Sequence, residues 1–108
     1  MPESEKDRLA AEVAERWLDF QDASSDKRRY PLQQFRAFWN AGKQYAELTR
    51  KDELIHRKVV VVINGLREFL SVDRKRIPAT ILPDADRLEF MLFSGYDPYF
   101  ECEEPPGL

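Results

Sequence analysis

The stretch Glu53-Leu54-Ile55-His56 sets a carboxylate and the chain's single histidine three residues apart. At that spacing one face of a helix offers both groups to a metal ion, as in carboxylate-bridged di-iron bundles. Such a centre also needs carboxylates from neighbouring helices, for which Glu12, Glu15 or Glu47 would serve, and a second Glu-x-x-His that only a symmetric dimer could supply. Arg57 and Lys58, directly after the pair, oppose a cation, so a surface histidine at a helix start is the plainer reading and no metal or other cofactor is expected. Any Ser-His-Asp or Cys-His arrangement would have to use the same His56. Cys102 stands between Glu101 and Glu103, which disfavour the thiolate that a nucleophile requires. The sequence holds no Gly-rich phosphate loop and no cysteine pair at metal spacing. The reading therefore leans away from an enzyme, and a metal-dependent enzyme completed in a dimer ranks last.

Binding chemistry is better represented. Acidic residues outnumber basic ones in 1–26 and in 77–108, whereas 27–76 carry thirteen basic against five acidic residues. The basic residues fall in three clusters: Lys27, Arg28 and Arg29; Arg50, Lys51, Arg57 and Lys58; and Arg74, Lys75 and Arg76. A nucleic-acid-binding module would rest on Arg28, Arg29, Lys51, Arg57, Lys58 and Arg74, because phosphate recognition needs such clusters on one face. In an up-down bundle the first and third clusters lie near one end and the second near the other, which splits the charge. No helix-turn-helix, zinc or aromatic-strand signature accompanies it. The other binding candidate is aromatic. Phe35, Phe38 and Trp39 recur at helical spacing, and Tyr96, Tyr99 and Phe100 sit among Asp97, Glu101, Glu103 and Glu104, with prolines holding that segment extended. Buried aromatics with an acidic rim suit docking, either on the chain's own basic middle or on another protein.

The elements that must position these groups are helical. From Glu5 to Asp22, Leu9, Val13, Trp17 and Phe20 recur at helical steps, with Ala10, Ala14 and Leu18 widening the apolar face and Ser4 as N-cap. A second helix begins at Pro31, which suits the first helical position, and buries Leu32, Phe35, Phe38, Trp39, Tyr45, Ala46 and Leu48. Gly42 inside it marks a close helix crossing, the reading taken here over an early helix end. Thr49, with Asp52 three residues on, reads as a cap at a tight turn.

Residues 58–70, KVVVVINGLREFL, set a strand with an Asn64-Gly65 turn against a helix. As a hairpin neither face is clean, whereas Ile55, Val59, Val62, Leu66 and Phe69 alternate three- and four-residue steps, with Ile63 and Leu70 beside them. A helix from Asp52 to Asp73 is predicted, its polar side formed by Arg57, Lys58, Asn64 and Glu68. Residues 77–94 read either as a β-hairpin or as a short helix capped by Asp84 or Asp86 and stopped by Gly95, and the bracketing cap and stop favour the helix.

The expectation is thus a mainly α fold, a single small bundle-like domain over residues 1–95 with three main helices and a short C-terminal element, followed by an acidic, aromatic, Pro-rich tail over 96–108. One core suits 108 residues,. The charged start MPESEKDRLA and the lack of a long apolar run point to a cytoplasmic protein without a membrane span, and a single cysteine fits a reducing compartment. The function expected is a small non-enzymatic interaction or regulatory module. It would use Phe35, Phe38, Trp39, Tyr96, Tyr99 and Phe100 for self-association, as a homo-oligomer, or for binding a protein partner, with nucleic-acid binding as the alternative.

Overall fold

The computed structural model describes residues 4–26, 28–72 and 75–95. Its elements are four helices, α1 (Glu5–Ala23), α2 (Leu32–Leu48), α3 (Arg57–Val72) and α4 (Ile81–Ser94), with no strand among the described residues. The fourth helix resolves the choice between helix and hairpin, so the fold is mainly α with one more full helix than expected. No helix among the described residues is long and apolar enough to cross a membrane. Arg74, Tyr96, Tyr99, Phe100 and the whole of 96–108 lie outside the described residues.

Local sequence explains most of the boundaries. Ser4 caps α1, its Oγ accepting the Asp7 N–H at 3.0 Å, which satisfies one of the orphan donors of the first turn. Pro31 takes the N-cap place of α2, one residue before the position expected, and its carbonyl accepts the Phe35 N–H. Thr49 closes α2 instead of opening the next helix: its Oγ1 donates to the Tyr45 carbonyl at 2.8 Å. The start of α3 is five residues later than predicted, at Arg57, because the His56 N–H is taken by the Tyr45 hydroxyl while the His56 carbonyl accepts from Val59 and Val60. Neither Asp84 nor Asp86 caps α4; that helix begins at Ile81, since Pro83 falls in the first turn, where its missing N–H costs nothing,. At the other end Gly95 adopts the left-handed conformation, φ 70°, and its N–H bonds to the Met91 carbonyl,.

Helix α1 packs on α2 and α3, and α4 packs on the same two, so the order around the core is α1, α2, α4, α3. Three pairings fix the directions of α2 and α4. Trp39 meets Asp84, Gly42 meets Leu88, and the Arg50 carbonyl meets Gly95, so the two helices run parallel. Asp7 with His56 and Trp17 with Phe69 give the same sense for α1 and α3. The chain is therefore two antiparallel hairpins laid side by side, and residues 49–56 must cross beneath the bundle from α2 to α3 beside α1.

The core is aromatic towards the α1–α2–α3 side. The Trp17 ring lies 5.4 Å from both Phe38 and Phe69, and Phe20 lies 5.5 Å from Phe35. Leu66, Leu70, Ile81, Leu88 and Met91 fill the space towards α4. Gly42 supplies the close crossing: a Cβ there would sit 2.9 Å from a Leu88 methyl. Leu18, expected on the apolar face, is 58% exposed, being one position past the stripe that α2 and α3 cover.

Candidate functional site

Two sets of side chains combine chemistry with definite geometry. The first joins three elements at the lower end of the bundle. Tyr45, in the last turn of α2, is fully buried, and its Oη lies 2.7 Å from His56 Nδ1 and 2.8 Å from the His56 backbone nitrogen. His56 Nε2 lies 2.5 Å from Asp7 Oδ1 on α1. In the neutral imidazole Nε2 carries the proton, facing the carboxylate without repulsion, and Nδ1 is the acceptor; the Tyr45 hydroxyl then donates to Nδ1 while accepting the His56 N–H,. The His56 hydrogen bond, and after it that of Ser4, holds the Asp7 carboxyl below the usual carboxylate range. Burial pushes the Tyr45 phenol up. Lys6 bonds Asp52 at 2.7 Å beside this cluster.

An Asp–His–hydroxyl relay has the order of parts found in nucleophilic sites, but its hydroxyl is a phenol sealed in the core, with no open face at which a substrate could meet it. Its groups are spent on tying α1, α2 and the start of α3 together. The same contacts correct the metal reading. Glu53 and His56 lie in the connection before α3, not on a helix face, and both ring nitrogens of His56 are engaged. Among the described residues no three His, Cys, Asp or Glu side chains converge to hold an ion.

The second set lines the groove between α2 and α4. Trp39 donates its Nε1–H to the Asp84 carbonyl at 2.8 Å. The Arg87 guanidinium lies 5.1 Å and the Lys43 ammonium 5.7 Å from the ring centre, distances at which the ring's quadrupole attracts a cation. Leu32, Phe35, Arg36, Asn40, Thr80 and Ile81 complete a concavity of about 220 Å³. Concavities of about 450 and 550 Å³ flank the α1–α2 turn; the first is walled mainly by Asp, Gln and Arg side chains, the second mixes these with Tyr30, Pro31 and Leu32, and neither has an indole. Sequence reasoning found Trp39 from its place in the α2 pattern, but its hydrogen-bond acceptor and the nearer cation come from α4, Asp84 being 45 residues away. It missed the Asp7–His56–Tyr45 cluster. The available signal was a tyrosine in an apolar stripe, whose hydroxyl must find a partner when buried.

The aromatic candidates divide. Of the two phenylalanines expected on a docking surface, Phe38 is fully buried in the core under α1, whereas Phe35, also a core residue, lines the floor of the α2–α4 groove. Trp39, one residue round the helix from Phe38, is part-buried and borders the groove. Tyr96, Tyr99 and Phe100 fall outside the described residues. The basic candidates also divide as the up-down topology requires. Arg28 and Arg29 are at the upper end, where Arg28 pairs with Asp26. There Arg76 reaches across to the Ser24 and Asp26 carbonyls and lies over Tyr30. Lys51, Arg57 and Lys58 are exposed at the opposite end. Comparisons of the chain with models of known protein families, with curated proteins and with solved structures found no match to any of them.

Proposed function

We propose that the protein is a small non-enzymatic interaction module whose α2–α4 groove receives an acidic, extended segment of a partner protein. The observation that carries this reading is the setting of Trp39. Its indole is fixed by the Asp84 hydrogen bond and by two overlying cations before any partner arrives, so little side-chain entropy remains to be lost on binding. Trp and Arg are the residues enriched at the energetic centres of interfaces, and Arg36 beside the ring offers a guanidinium suited to bidentate pairing with a carboxylate,. The alternative of a nucleic-acid module is weakened by the basic residues of the two chain turns facing opposite ends, since a single phosphate backbone would not meet both.

Selection of random peptides on the immobilised protein tests the reading. Enriched sequences should be acidic, and their affinity should fall on Trp39→Ala by about 2 kcal/mol or more. Arg36→Glu, at an exposed position, should weaken the same peptides and leave the fold intact. No enrichment, or enrichment indifferent to both changes, would sink the proposal.

A further inference from the structure

The lower end of the bundle carries charge that its own helices do not answer. Arg57 and Lys58 occupy the first turn of α3, which contains no acidic residue, and a helix N-terminus bears partial positive charge that disfavours cations. Lys51, in the connection before it, is exposed, and none of the three forms an ion pair among the described residues. Leu54, in the same connection, is 86% exposed. Basic and apolar groups thus lie together on residues 51–58 at the surface, beside the exposed Glu53 and Asp52, the latter's carboxylate already paired with Lys6.

Helix α4 ends at this same place. Gly95 turns the chain in the left-handed conformation, so close to the α2–α3 connection that a Cβ would stand 2.5 Å from the Arg50 carbonyl oxygen. Thirteen further residues follow, YDPYFECEEPPGL, with four carboxylates and three aromatic rings. Extended, they reach roughly 40 Å.

We infer that residues 96–108 seat on the connection of the same chain, with their carboxylates against Lys51, Arg57, Lys58 and the α3 N-terminus and their aromatic rings over Leu54. Charge complementarity and the anchoring of Gly95 single out this occupant. The effective concentration of a segment that starts beside its site also favours it over a free competitor. The inference is independent of the α2–α4 groove, which lies on another face.

The chain's single cysteine supplies the test. A nitroxide attached at Cys102 of the full-length protein should erase the amide signals of residues 51–58 by paramagnetic relaxation, and reduction of the nitroxide should restore them. Lys51→Glu/Arg57→Glu/Lys58→Glu should abolish the effect, as should Tyr99→Ala/Phe100→Ala. The first set alters only exposed side chains, and unchanged amide signals from α1, α2 and α4 in both variants separate loss of seating from loss of folding. Signals of 51–58 left intact beside the nitroxide would overturn the inference. So would loss seen only when spin-labelled chains are mixed with isotope-labelled, unlabelled-at-cysteine chains, because that result assigns the seat to a second copy.

Discussion

His56 shows how a side chain can hold several elements at once without touching a ligand. Its backbone N–H and Nδ1 both depend on one buried hydroxyl. Tyr45→Phe, which keeps the ring and removes the oxygen, should therefore cost about 1–3 kcal/mol in urea unfolding, the penalty of leaving a donor without a partner. Asp7 adds a pH signature. Its carboxyl is held below the ordinary range by the His56 and Ser4 hydrogen bonds. The stability it contributes is therefore present above about pH 4 and lost as pH falls through the lowered value. Asp7→Asn should be less stable than the parent at neutral pH, and the difference between the two unfolding curves should shrink steadily below pH 4. A difference that stayed constant to strongly acid pH would refute the assignment. None of this cluster was legible as a cluster, because its members lie 11 and 49 residues apart along the chain and no local pattern records such a meeting.

At the scale of elements, periodicity carried the reading far. The α1 limits agree to within a residue at each end, and the Val-rich stretch is helical as its three- and four-residue steps required. The misplaced ends of α3 and α4 share one cause. Each is set by a partner from elsewhere or by a proline tolerated in the first turn, and neither acts through the hydrophobic period. The two helical glycines give a paired prediction. Gly65 has nothing within 4 Å of where a Cβ would stand, so Gly65→Ala should stabilise the protein by about 0.5–1 kcal/mol through helix propensity alone. Gly42 faces Leu88, fully buried with methyls at 2.9 and 3.0 Å. There the same substitution must displace a packed side chain, at a cost of about 1–3 kcal/mol that exceeds the propensity gained. Thermal unfolding of the two variants should move in opposite directions; a common direction would show that Leu88 has room to yield.

For the whole molecule, the arrangement of hairpins decides what the surface can do. Because sequence places the basic clusters at successive turns, alternation of helix direction carries them to opposite ends, as an up-down reading of the sequence anticipated. The order around the core was not legible. Nothing in the apolar stripes says that α2 packs beside α4 and not beside α3; that depends on Gly42 receiving Leu88 and on the reach of residues 49–56. The Trp39 groove exists only because of this order.

The crossing of residues 49–56 beneath the bundle has one more consequence. Each hairpin is bonded to the other through surfaces that a second chain could supply identically, so if the connection straightens, two molecules can trade hairpins without losing a core contact. The contacts of the connection and the protein concentration decide between closed monomer and exchanged dimer. The latch that keeps the connection folded back is Lys6 on Asp52, since Asp7 on His56 joins α1 to the start of α3 and is remade between exchanged chains. Concentrated protein refolded at high salt, which screens this exposed pair, should yield a dimer that persists after desalting and returns to monomer on dilution as fast as the bundle unfolds. Size-exclusion chromatography with light scattering reads the outcome, and Lys6→Ala should raise the dimer fraction at low salt.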